Sequence, residues 1–215
     1  MKKVIFCLML LILFIQPGFS RGSFTEFKAG YFYPEAAEHG YIFGINAGRM
    51  IDESLSWSFE INYFQKAYKK TTNKDELYFP GIQPTQVKLE LDYKTIILPI
   101  YAKLNYEHPL GYRSPIYFRG SAGLGWEMVW NKANNYQVNP STHETRFYNG
   151  FGWQATAGLG FEISSSANFF VDGFYNGSTV KRNSTTNDEG LPTWEELDVS
   201  GFGVRVGISI VGFGW

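Results

Sequence analysis

The chain has 215 residues, one cysteine and 19 basic against 20 acidic side chains, a net charge of −1. That length fits one domain, the charge balance offers nothing to nucleic acid, and a single cysteine excludes an internal disulfide. Aromatic residues make up 18% of the chain, an excess that interfacial aromatic girdles would account for.

Residues 1–20 read as a secretory signal peptide. Lys2 and Lys3 form the basic start, Val4 to Ile15 is apolar, Pro17 and Gly18 break it, and Gly18 and Ser20 stand where cleavage after Ser20 needs small residues. Cys7 lies inside this segment behind Phe6, where a lipobox would want a small residue, so the expected mature domain, 21–215, carries no thiol for a disulfide or a metal. No later stretch supplies the ~20 apolar residues of a transmembrane helix, and the mean hydropathy is −0.20.

Beyond it, apolar residues alternate with small or polar ones at period two, the signature of strands with one greasy face. The first strand spans 25–33, with Phe27, Ala29, Tyr31 and Tyr33 outward and Glu26, Lys28 and Gly30 inward. The second, 40–50, sets Tyr41, Phe43 and Ile45 against Gly44, Asn46 and Gly48. The third, 55–67, sets Trp57, Phe59 and Ile61 against Ser58, Glu60 and Asn62. The fourth, 87–106, changes phase, because Leu89, Leu91 and Tyr93 share one parity and Ile96, Leu98, Ile100 and Leu104 the other. A bulge near Thr95–Ile97 is expected there, with Pro99 as a second irregularity. The fifth, 116–130, is the cleanest: Phe118, Leu124, Trp126 and Met128 oppose Arg119, Gly123, Gly125 and Glu127. The sixth, 148–163, opposes Trp153, Leu159 and Phe161 to Gln154, Gly158 and Glu162. The seventh, 167–180, is less regular, since Phe170 and Phe174 share the parity of Asp172, and the eighth begins at Val199 with Arg205 among inward glycines.

With no helix-period segment to cover the apolar faces, the expected architecture is an all-β, eight-stranded antiparallel up-and-down transmembrane barrel, lipid outside and polar within. Connections 51–54, 107–115 and 164–166 are shorter than 68–86, 131–147 and 182–198, which puts the former in the periplasm and the latter, with 34–39, outside. A lipocalin-like soluble barrel is the weaker alternative, because it would point its apolar residues inward.

On these residues the chain resembles the bacterial outer-membrane β-barrel family, the OmpA/OmpX-type eight-stranded barrels and their porin-like relatives. The resemblance is carried by Leu98-Pro-Ile-Tyr-Ala-Lys-Leu-Asn-Tyr106, by the glycine-alternating stretches Gly120–Gly125 and Ala157–Phe161, and by the aromatic terminus with Val211, Phe213 and Trp215. It implies an outer-membrane location reached through the signal peptide. It also implies that Val211, Phe213 and Trp215 serve as the C-terminal signal read by the barrel-assembly machinery, and it implies contact with membrane lipid and lipopolysaccharide. Trp215 departs from the phenylalanine usual in that family.

The inward charges form the expected lumen network: Glu26, Lys28, Glu60, Lys103, Arg119, Glu127, Glu162, Asp172 and Arg205. Both signs occur, so the groups should pair, since an unpaired buried charge is costly. An ion-selective pore and a salt-bridged plug are both open; eight strands leave an interior that side chains can fill, which favours the plug, although the inward glycines could leave voids. Lys66, Lys69 and Lys70 could meet lipopolysaccharide head groups, with plain solvation of the loop as the equal alternative. Asn183-Ser-Thr185 matches a glycosylation pattern that has no meaning in a bacterial outer membrane. His39, His108 and His143 lie in connections, His143 beside Ser141, Thr142 and Glu144, but neighbours in a loop do not specify a catalytic geometry. No enzymatic role, catalytic residue, cofactor or metal site is expected. The reading is a monomeric barrel with a structural or binding role, with a small passive channel as the alternative and a membrane-embedded lipid-modifying enzyme further behind.

Overall fold

The computed structural model describes residues 22–74, 86–112, 114–135, 142–186 and 192–213; the expected signal segment and Trp215 lie outside them. The strands are β1 (Ser23–Pro34), β2 (Gly40–Met50), β3 (Leu55–Lys74), β4 (Gln86–Pro109), β5 (Ile116–Asn135), β6 (Thr142–Ser164), β7 (Ala167–Thr186), β8 (Pro192–Asp198) and β9 (Gly201–Val211). Each of β1 to β7 pairs antiparallel with the next. β8 and β9 are successive stretches of one strand laid along β7. The sheet closes where β1 meets β9, from Phe24 opposite Val211 to Pro34 opposite Gly201. The chain is therefore a closed eight-stranded antiparallel barrel, which leaves no edge along its main wall.

The period-two pattern sets the wall. Phe43, Ile61, Leu124, Phe151 and Phe202 are each more than half exposed on the outside, whereas Glu26, Glu60, Asn62, Gln154 and Asp172 are buried within. Aromatic pairs mark the upper rim of this apolar band: Trp130 with Phe147, ring centroids 5.2 Å apart, and Trp153 with Tyr175 at 5.5 Å.

Most inward glycines make room for a longer side chain from a neighbouring strand. A Cβ on Gly203 would stand 2.5 Å from the Phe174 ring, one on Gly123 2.6 Å from Lys103 Cγ, and one on Gly30 2.8 Å from Arg205 Cγ. The irregular parity of the seventh strand has the same cause. Phe170 and Phe174 are buried in the lumen beside Asp172, in space that glycines on β9 vacate.

The expected bulge near Thr95–Ile97 is absent. The β4–β5 register runs unbroken from Leu91 opposite Asn135 to Pro109 opposite Tyr117, and the irregularity against β3 falls at Lys70/Thr71. The phase change instead marks where β4 leaves the apolar band, since Tyr93 shares the inward parity of buried Ile97 and Tyr101. Past the band the outer face no longer needs apolar residues, and the inner face takes them.

Most strands exceed the expected boundaries. β3, β5 and β7 have 20 residues, β6 23 and β4 24, against the ~9–11 that cross a membrane. β1 and β2 have only 12 and 11, so the long strands rise beyond them at the long-connection end. The β2–β3 ladder stops at Ile42 opposite Phe64, which leaves a gap in the rim above the β1–β2 hairpin. Among the described residues, the β6–β7 ladder ends at Asn149 opposite Lys181, so the rim divides into a β3–β6 sheet and a β7–β8 ribbon.

Gly203→Val should lower the stability of the mature chain folded in detergent by about 1–3 kcal/mol, because its methyls meet the Phe174 ring and a backbone carbonyl. Gly173→Ala, where the nearest atom would be 3.8 Å away, should leave the urea midpoint unchanged.

Candidate functional site

The lumen is the place where functional side chains converge. Glu60 from β3 is its centre: Oε2 accepts from Lys28 Nζ at 2.7 Å and Lys103 Nζ at 3.0 Å, and Oε1 from Arg205 Nη1 at 2.7 Å. Glu26 takes Lys28 at 2.9 Å and Arg119 at 2.7 Å. Arg119 Nε lies 3.2 Å from Asp172 Oδ1, an ionic contact without hydrogen-bond geometry. The guanidinium carbons of Arg119 and Arg205 stand 3.7 and 4.3 Å from the ring centroids of Phe170 and Phe174, stacking that is worth more in a desolvated site than on a surface.

Seven of the nine expected lumen residues share this network. Glu127 and Glu162 do not. Glu127 is buried but bonds to Tyr101 and Asn176 rather than to a cation. Glu162 is exposed at the short-turn end, where β6 is already leaving the barrel. Sequence reasoning missed the neutral members: Asn46 donates to Glu26, Asn62 to Glu60, and Gln154 Oε1 accepts from Lys103 and Arg205. It also missed Glu107, directly across the ladder from Arg119. Asn62 and Gln154 have inward parity in strands whose inward charges were recognised, so their signal was available. Asn46 lies on β2, which carries no expected inward charge, and Glu107 in what reads as the connection after the fourth strand.

A second layer lies toward the long-connection end, and here the expectation of a polar lumen fails. Phe32, Ile42, Phe64, Ile97, Val129, Tyr148, Phe174, Val180 and Val199 form a buried apolar cluster inside the barrel, with Ala36, Ala37 and Leu197 against it. The sequence signal was adjacent apolar residues where strict alternation should hold, as in Tyr31-Phe-Tyr33, Tyr41-Ile-Phe43 and Ile96-Ile-Leu98. Tyr101, Glu127 and Asn176 sit between the layers.

Above the apolar layer the two halves of the rim are bridged by charges. Tyr148 Oη donates to Glu195 at 2.8 Å, Arg146 lies 3.7 Å from Glu195, and Arg182 lies 3.7 Å from Glu144. Arg146 also grips Glu144 through Nε at 2.7 Å and Nη2 at 2.9 Å, and these hydrogen bonds hold the Glu144 carboxyl below its ordinary range. Lys66 does not face outward toward head groups; it turns inward, 3.6 Å from Glu38. The side chains of Lys69 and Lys70 are outside the described residues.

The histidines are dispersed. His39 packs against the Tyr31 and Tyr33 rings on the outer wall, His108 stacks on Tyr106, and His143 Nδ1 lies 2.9 Å from Asn134 Oδ1. Val211 pairs with Phe24, and Phe213, 60% exposed, accepts at its carbonyl a hydrogen bond from Thr25 Oγ1.

A closed barrel with an apolar exterior, short turns at one end and tall strands at the other is the architecture of the bacterial outer-membrane barrels. Solved structures agree. OprG from Pseudomonas aeruginosa is 13% identical over 88% of this chain and 95% of its own, with a TM-score of 0.53. A major outer membrane protein from Thermus thermophilus is 11% identical over 87% and 98%, with a TM-score of 0.51. Neisserial surface protein A is 15% identical over 89% and 97%, at a TM-score of 0.48. No family model and no curated protein sequence matches the chain. At these identities the likeness to OprG and to the Thermus thermophilus protein establishes the fold alone, the eight-stranded outer-membrane-type barrel.

Glu60→Gln should destabilise the folded barrel by roughly 3–5 kcal/mol, the cost of leaving buried cations without their anion, read as a lower urea midpoint in lipid vesicles. Carbon NMR titration should place Glu144 below the ordinary value of 4.5. Its contribution to the rim is present above that value and is lost as pH falls through the lowered one; Arg146→Ala should return the titration upward.

Proposed function

We propose that this chain is an outer-membrane protein with a closed lumen and a structural or binding role, presenting its tall strands outside the cell. The carrying observation is the double filling of the interior, with an ion-paired layer around Glu60 beneath an apolar layer around Phe64. A continuous water path would have to pass both. The membrane assignment is supported by the outer belt of exposed Phe, Ile, Leu and Trp, far more apolar surface than a soluble monomer presents.

In this reading residues 1–20 direct export, and Val211, Phe213 and Trp215 are offered to the assembly machinery. Bilayer lipid and lipopolysaccharide surround the wall, and the barrel is a monomer. The charge pairs hold the wall's shape and carry no ions. The scattered positions of His39, His108 and His143 give no support to catalysis. The small passive channel is the competing reading, favoured by the polar half of the lumen.

The mature chain folded in micelles should run as a compact band on unboiled gels that shifts on boiling. Reconstituted in planar bilayers at neutral pH, it should give no steady unitary conductance. Reproducible current steps from the heat-shifted species would replace the closed-lumen reading with the channel.

A further inference from the structure

Above the apolar layer, the inner face of the β3–β5 extension encloses an open pocket of about 200 Å³. Lys66, Tyr68, Tyr93, Thr95 and Asn131 project into it, and Ala36, Ala37 and Glu38 of the β1–β2 connection form its floor. None of these residues except Lys66 and Glu38 takes part in the ion pairs described for the lumen or rim.

Three observations fix what chemistry would fit. Tyr68 and Tyr93 point inward yet remain 47% and 40% exposed, so their rings offer uncovered apolar surface with a polar tip. Asn131 Oδ1 is buried with no hydrogen-bond partner among the described residues, an acceptor lacking a donor where such groups are ordinarily satisfied. Lys66 and Glu38 are 3.6 Å apart, too far for a hydrogen bond, so both retain capacity while cancelling each other's charge. A purely apolar ligand would leave Asn131 and the ion pair desolvated and unanswered. An anion would have to compete with Glu38 for Lys66.

We propose that this pocket binds one pyranose ring of a neutral glycan. A sugar ring has a C–H face that lies on a tyrosine and hydroxyls that both donate and accept. They would donate to Glu38 and accept from Lys66, and, with a turn of the Asn131 side chain that brings its buried Oδ1 to the pocket, donate to it as well. The space is smaller than the ~300 Å³ at which drug-sized pockets begin, so it takes a single residue, and the rest of the glycan leaves through the gap above the β1–β2 hairpin. The same chemistry could come from a glycolipid core in the protein's own membrane or from a glycan on another surface. The inference rests on the barrel reading, which exposes this end of the molecule outside.

The test uses the mature chain in lipid nanodiscs on an array of neutral and acidic oligosaccharides, with the uncharged outer portion of the lipopolysaccharide core oligosaccharide titrated separately by calorimetry. Retention of neutral glycans is expected, weakened about tenfold or more by Tyr93→Ala and by Asn131→Leu, a loss of ~1.4 kcal/mol. Tyr112→Ala, at the opposite end, should change nothing. Binding of the core oligosaccharide assigns the ligand to the protein's own membrane, and binding confined to array glycans assigns it to another surface. Retention of acidic glycans alone, abolished by Lys66→Ala but indifferent to Asn131→Leu, overturns the proposal, as does the absence of any retained glycan. The gel shift on boiling is followed for every variant. If it persists without glycan binding, only the pocket inference fails, whereas its loss from the unsubstituted chain removes the barrel reading itself.

Discussion

A lumen eight strands wide has room for side chains and little else, so whatever enters from one wall must be met from another. The Glu60 carboxylate is where this constraint is tightest. Lysines from β1 and β4 and an arginine from β9 end within 3.0 Å of its two oxygens, and Gln154 from β6 braces two of them. Lys28 and Arg119 then connect Glu60 to Glu26 and Asp172. Long charged side chains can cross only because glycines stand where they arrive, as Gly30 does beneath Arg205 and Gly123 beneath Lys103. The smallest and the longest inward residues are two halves of one packing solution.

The wall of the barrel was almost wholly legible in the sequence, since side chains of period two under a one-sided solvent leave a plain record. The interior was legible where charge marked it. Glu60, Arg205 and Arg119 are unmistakable in an alternating strand, whereas Asn62 and Gln154 look like any polar residue and their part depends on which strands lie opposite. Phe170 and Phe174 were puzzling for the same reason, because aromatic rings inside a polar lumen make sense only beneath the guanidinium groups that cover them. The phase change in β4 was visible, but parity alone does not distinguish a bulge from a strand leaving lipid. The register settles it. Glu162 was misplaced because alternation continues a residue or two past the point where the wall ends.

Above the apolar band the physical demands on the chain reverse. Lipid no longer requires a greasy exterior, so the outer face becomes polar, and the inner face acquires Tyr68, Tyr93 and the cluster around Phe64. The short β1–β2 hairpin makes this upper region lopsided, tall on the β3–β6 side and open above the hairpin. The same fold thus stacks an ion-paired layer, an apolar layer and an accessible inner surface along one axis.

The ion pairs also join residues far apart along the chain. Arg205 and Glu60 are separated by 145 positions and Arg119 and Glu26 by 93. Neither wall can satisfy its charges until the opposite wall is in place, and the last partner to arrive, Arg205, rides on the strand that closes the seam with β1. A half-built sheet holds Glu60 without its arginine, so partial structures gain little from the network while they bear the loop-closure entropy of distant contacts. Closure of the seam and neutralisation of the interior are one event, which makes the barrel's formation cooperative and gives a chain truncated before β9 no stable intermediate on which to rest.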